Sequence, residues 1–344
     1  MSHDGVSALA LVGLLTLAAS AALTLLVRRL AFAHGILDIP NERSSHTNVT
    51  PRGGGLAIVA TATVAMVWLG LSGAVPLDEL IAMSGGIVVA LIGFLDDRFG
   101  LRTVVRLAVH VGAASWAVFW LGGLPPLSIG SHVVQLGWTG HVLGVIGLVW
   151  TLNLFNFMDG IDGIAASESV FIACGGALLS MTGDSGSDVS AIALVFGAAC
   201  CGFLVWNWPP AKIFMGDVGS GYIGYVIGVL ALAATRISPH FLWVWLILAG
   251  TFFVDATVTL IRRLLRGERI YQAHRSHAYQ WLARKWSSHQ RVTVAVWGVN
   301  LMWLLPCAFA AARFAQHAMW IACVALVPVV ALAILLGAGR REAA

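Results

Sequence analysis

Apolar stretches close to 20 residues long, almost free of charged side chains, follow one another from end to end of this 344-residue chain. A bilayer core of about 30 Å is crossed by roughly 20 apolar residues in helical form. Eleven such runs are read, at about 6–27, 54–72, 79–95, 104–122, 141–158, 163–182, 189–206, 218–235, 241–261, 292–312 and 318–337. The expected fold is all-α: a polytopic membrane protein of about 11 transmembrane helices in one integral-membrane domain over 1–344. Only 10% of residues are charged and mean hydropathy is +0.87, whereas a soluble domain carries about 25% charged residues. The same composition excludes a disordered chain, a disulfide scaffold and a coiled coil.

Threading eleven spans assigns each loop to a side, and the Lys/Arg distribution tests the count independently. Of the 20 basic residues, all but Arg236 and Arg313 fall on one side. That side is read as cytoplasmic, with the N-terminus outside and the C-terminus inside. Its loops are about 28–53, 96–103, 159–163, 207–217 and 262–291. The net charge of +4 therefore reads as topology, and no nucleic-acid partner is expected. No Lys or Arg precedes the first run, while Arg28 and Arg29 follow it, which favours a retained helix over a signal peptide. The five cysteines lie in apolar runs without metal-ligand spacing and read as packing residues. The outer segment 123–140, with Pro125 and Pro126, suits a short hairpin or re-entrant piece.

Carboxylates crowd the inner interface, where acids are costly unless paired with a partner or an ion. Asp96 and Asp97 end one run; adjacent carboxylates both stay ionised only beside a cation, either Mg²⁺ or a neighbouring Arg. In the segment from Asn153 to Gly163, a helical turn would place Asn153 with Asn156 and Asp159 with Asp162 on shared faces, an oxygen-rich set suited to a hard cation. Pro209 and Pro210 forbid a continuous helix, and Gly216-Asp217-Val218-Gly219-Ser220 reads as a polar helix start able to meet phosphate. Phe214 beside it reads either as an interfacial anchor or as a stacking surface for a base. His274-Arg275-Ser276-His277 suits phosphate binding better than zinc, because no third ligand is near.

These four clusters, with Asp38 to His46 and Pro51-Arg52-Gly53-Gly54-Gly55, resemble in order and side the polyprenyl-phosphate N-acetylhexosamine-1-phosphate transferases. The resemblance runs from about residue 38 to 280. It implies a bacterial inner-membrane enzyme that takes a UDP-N-acetylhexosamine and undecaprenyl phosphate at its cytoplasmic face, uses Mg²⁺ (with Mn²⁺ as a substitute) and releases UMP. It further implies Asp96 and Asp97 as the catalytic pair, Asp217 and Asn156 as metal ligands, and Asn153, Asp159, Asp162 and Phe214 as nucleotide contacts. Arg106, His274, Arg275, His277, Arg43 and His46 would contact phosphate or sugar. Relatives often form homodimers. The last inner loop lacks the adjacent histidines of the peptidoglycan branch, whose substrate is a muramoyl pentapeptide. It looks most like the O-antigen-initiating branch, with donors such as FucNAc, QuiNAc or GlcNAc.

A secondary transporter is the competing class. Asp255, inside the ninth run, would serve an ion path or pair with Arg262 two helical turns on. The second role is favoured, because the acids gather at one interface and no repeated halves are visible.

Overall fold

The computed structural model describes residues 3–40, 48–129, 132–181, 187–268 and 274–341. Helices dominate: α1 (His3–Ala33), α2 (Gly55–Leu71), α3 (Leu77–Phe99), α4 (Thr103–Leu121), α5 (Trp138–Met158), α6 (Ile164–Ser180), α7 (Ser187–Asn207), α8 (Asp217–Ile237), α9 (Phe241–Leu248) and α10 (Gly250–Leu265). They continue with α11 (Ala278–Trp286), α12 (His289–Val299), a π turn at Asn300–Leu304, α13 (Leu305–Arg313) and α14 (Ala318–Leu335).

Each of the eleven apolar runs coincides with helix. Among the described residues eight helical stretches are long and apolar enough to cross a membrane, α9 and α10 form a further pair bent by 77°, and α2 and α6 are shorter apolar helices of 17 residues. The outer segment forms a hairpin, β1 (Leu127–Ile129) paired antiparallel with β2 (His132–Val134). Two expectations shift. Arg28 and Arg29 belong to the last turns of α1 rather than to a loop, and the inner segment 262–291 contains the whole of α11. The five cysteines are free thiols.

The bundle is organised around α8, which is buried along nearly its whole length and packs against α2, α3, α4, α5, α6, α7 and α9. Apolar burial alone gives little attraction between helices in lipid, so close backbone approach through small residues has to supply it. Four glycines of α8 serve this. A Cβ on Gly219 would stand 2.7 Å from Gly55 Cα of α2, one on Gly221 3.2 Å from Val89 of α3, and those on Gly224 and Gly228 2.7 Å from Thr151 O and Leu148 of α5. Helices α3 and α8 run antiparallel: Asp97 meets the start of α8, while Asp78 at the other end pairs with Arg236 at 2.6 Å.

Candidate active site

The polar segments converge at one end of the bundle, around a cavity of about 1040 Å³. Its floor is the foot of α8. Gly216 holds a positive φ of 78°, and a Cβ there would meet Asp97 Oδ2 at 2.5 Å, so only glycine fits the turn that starts α8. The segments 51–55 and 213–215 are laced together by backbone bonds. Phe214 N–H donates to Pro51 O at 2.8 Å, and Phe214 O and Met215 O accept from Gly54 and Gly55 N–H, each at 2.9 Å. This lacing sets Arg52 beside Asp217.

The acids are balanced by two arginines. Arg52 Nη2 lies 2.6 Å from Asp97 Oδ1 and 3.0 Å from Asp217 Oδ1. Arg106 on α4 pairs with Asp96 through Nη1, which is also 3.5 Å from Asp217 Oδ2. Asp97 caps α8 by accepting from Asp217 N–H at 3.0 Å and Val218 N–H at 3.3 Å, as a carboxylate does at a helix N-terminus. Asp96 Oδ1 accepts from Leu101 N–H at 2.6 Å. Burial alone would lower the Arg52 pKa, but the charges of Asp97 and Asp217 outweigh it and hold the guanidinium above its ordinary value.

The loop after α5 faces these groups. Because α5 ends at Met158, Asp159 and Asp162 do not share a helical face; the turn through Gly160 and Gly163 brings both to the cavity wall. Burial, and then the charge of Asp217, push the Asp159 carboxyl well above its usual range, with Arg52 opposing. Asp162 accepts from Ala211 N–H at 3.0 Å and lies 3.3 Å from His289 Nδ1. Asn156 donates to Ser220 Oγ at 3.2 Å, one turn along α8 from Asp217. Phe214, His274 and Arg275 also line the cavity. Burial, with neighbouring His277 and Arg263, lowers the His274 pKa to about 4.

Three expectations are corrected. Asn153 is not on the cavity wall; its amide turns back to Val149 O at 2.7 Å. His277 is buried off the cavity, stacked between Phe157 and Tyr279 at the start of α11, because this short helix needs that position as its N-cap. Asp255 does not pair with Arg262, which donates instead to Ala338 O; it accepts from the first amides of α11. Arg43 and His46 lie outside the described residues.

Some wall residues escaped the sequence reading: Arg52, though inside a recognised motif, Arg284 in the last turn of α11 and His289 at the start of α12. Only the amphipathic pattern of 278–286 signalled that wall.

Among the described residues no three carboxylate, imidazole or thiol groups form a ready-made metal cage. The donors at the foot of α8 are nonetheless hard oxygens, from Asp217, Asn156 and Asp159 around one cavity. Mg²⁺ is usually held by one or two carboxylates plus substrate phosphates, and Asp217 and Asp159 supply two on the wall of this cavity. The residues fit such an ion.

A bundle of membrane-length helices whose one end gathers aspartates, arginines and amides around an open cavity is an integral-membrane protein with a charged site at one end of its bundle. Residues 80–235 match the sequence profile of glycosyl transferase family 4. The chain is 31% identical, over 88% of its length and 82% of the relative's, to a decaprenyl-phosphate N-acetylglucosaminephosphotransferase of Mycobacterium tuberculosis. It is 29% identical, over 81% of its length and 78% of the relative's, to a probable undecaprenyl-phosphate N-acetylglucosaminyl 1-phosphate transferase of Bacillus subtilis. A phospho-N-acetylmuramoyl-pentapeptide-transferase of Halalkalibacterium halodurans is 28% identical, over 81% and 89%. The chain belongs to glycosyl transferase family 4, among the polyprenyl-phosphate N-acetylhexosamine-1-phosphate transferases.

Proposed function

We propose that this protein transfers an N-acetylhexosamine 1-phosphate from a UDP-sugar to undecaprenyl phosphate, releasing UMP. The observation that carries the reading is the ion-pair cluster at the foot of α8, in which Arg52 and Asp217 line the cavity and Asp96, Asp97 and Arg106 stand directly behind them. The relatives' names support the reaction, and those that carry N-acetylglucosamine make UDP-GlcNAc the first donor to test. The placement of basic residues supports a cytoplasmic site in a bacterial inner membrane, with the N-terminus outside.

The acceptor, a phosphate monoester with a second pKa near 6, is mostly dianionic at neutral pH and scarcely needs a base. Its oxygen attacks the β-phosphorus, the bond to the bridging oxygen breaks, and UMP leaves. The obstacle is repulsion between anions, so charge neutralisation and in-line positioning lower the barrier most. Arg52, Arg106 and Arg275 supply positive charge, Asp97 orients the start of α8, and Asp159, Asp162 and Phe214 form the wall for the nucleotide. Asp217 and Asn156, with Asp159 beside them, would hold Mg²⁺, which would supply Lewis-acid neutralisation of the diphosphate. Both Asp96 oxygens are engaged, by Arg106 and Leu101 N–H, which supports positioning over proton abstraction.

The test is purified protein with Mg²⁺, undecaprenyl phosphate and UDP-GlcNAc, UDP-FucNAc, UDP-QuiNAc or UDP-MurNAc-pentapeptide, scored for UMP, with Asp217→Ala as control. UMP from at least one sugar is expected. None from any of them would overturn the reading.

A further inference from the structure

We propose that Asp255, outside the cavity wall, is a positioning residue for the donor side of the site; the inference rests on the transferase reading above. Its carboxylate is buried on α10 and accepts from Ala278 N–H at 2.9 Å, Tyr279 N–H at 3.0 Å and Thr259 Oγ1 at 3.1 Å. The first amides of a helix have no partner within that helix. Here α11 receives a charged cap from a residue more than 20 positions earlier in the chain.

The consequence runs in two directions. Immediately before α11 the chain carries His274 and Arg275 to the cavity wall. Within α11, Tyr279 sends its hydroxyl to Phe157 O at 2.9 Å and lies so close to Gly160 that a Cβ there would stand 2.2 Å from Tyr279 Oη. Tyr279 therefore braces the end of α5 and the loop bearing Asp159 and Asp162. One carboxylate fixes both loops that flank the same side of the cavity.

The support for Asp255 is itself rigid. Thr251, one helical turn before it and just past the 77° bend, shares its single hydroxyl proton between Glu168 Oε1 at 2.8 Å and Asn300 Oδ1 at 3.1 Å, and Asn300 donates to Glu168 Oε2 at 2.6 Å. Asn300 opens the π turn, a local widening that is frequent at functional positions. This polar knot joins α6, α10 and the π turn, and holds the helix from which Asp255 reaches α11. The arrangement resembles the outer support of designed sites, where a reacting group is only as well placed as the residues behind it.

The experiment uses the full chain and UMP release with each substrate varied in turn, together with hydrogen exchange at Ala278 and Tyr279. Asp255→Asn loses one acceptor and turns an N–H toward an N–H. It is expected to raise the KM for UDP-sugar about tenfold while the KM for undecaprenyl phosphate stays within about twofold, and to speed exchange at both amides. Tyr279→Phe acts on the same path, so the double variant should be no worse than Asp255→Asn alone. If Asp255→Asn fails to fold, Gly160→Ala, which pushes on Tyr279 from the opposite side, is expected to reproduce the donor-selective effect. An unchanged donor KM, equal rises in both KM values, or multiplying effects in the double variant would overturn the proposal. Wild-type protein that releases no UMP overturns the transferase reading and the donor-side role with it; active wild type with donor-insensitive variants overturns only the positioning.

Discussion

Replacing Gly93 by alanine tests whether backbone contact between α3 and α8 sets the site. A Cβ at position 93 would stand 2.4 Å from Asp217 O, 2.6 Å from its carbonyl carbon and 2.8 Å from Val218 N, where ordinary contact begins at 3.4 Å. All three atoms are backbone, so no side chain can swing away, and the helices must part by about 1 Å. Overpacking of this kind costs about 1–3 kcal/mol, which leaves the fold intact. The same displacement moves Asp217 away from Asp96, Asp97 and Arg106, and a misplacement of about 1 Å costs on the order of 10²-fold in rate. Turnover is measured by UMP release and folding by thermal unfolding in detergent. Gly112→Ala and Gly147→Ala serve as controls: nothing stands within 4 Å of a Cβ at either position, and alanine gains helix propensity there, so activity should hold and stability rise slightly. A folded Gly93→Ala protein that keeps turnover within about threefold of wild type would refute the claim that this approach positions Asp217.

Other substitutions separate the roles of the charges. Asp96→Asn should depress turnover at every pH, because it loosens Arg106; recovery at high pH, where the acceptor is fully ionised, would restore the base role. Arg52→Ala should lower kcat/KM by about 10²-fold or more, because it removes the one nitrogen, Nη2, that bridges Asp97 and Asp217; Arg52→Lys should recover only part of it, since a compact, strongly hydrated ammonium does not reproduce the placement of that guanidinium nitrogen. His274, with its pKa lowered to about 4, stays neutral between pH 6 and 8. Its replacement by Gln should therefore leave the shape of the pH-rate profile unchanged over that range. Because its folded pKa lies below the unfolded value, the wild type loses stability as pH falls from about 6.5 toward 4; His274→Gln should melt less steeply with acid over the same window.

The helical runs and the clusters at their ends were legible because a membrane dictates span length and makes interfacial charge conspicuous. Partners were much less legible. Asp255 pairs with backbone N–H groups, which carry no letter in a sequence, so Arg262 stood out instead. Nothing local distinguishes His274, on the wall, from His277, buried behind it; the start of α11 decides that. Arg52 lay in a recognised motif, but which acids it neutralises follows from the backbone lacing of 51–55 to 213–215, a long-range register invisible to spacing.

The burial of α8 also governs how the cavity breathes. Its floor stands on a column gripped by seven neighbours through glycine contacts too close to slide. The rim near His274, Arg284 and His289 hangs on short helices and turns at the periphery. Any adjustment of the cavity to what it binds therefore falls to the rim, while Asp217 stays anchored to the column.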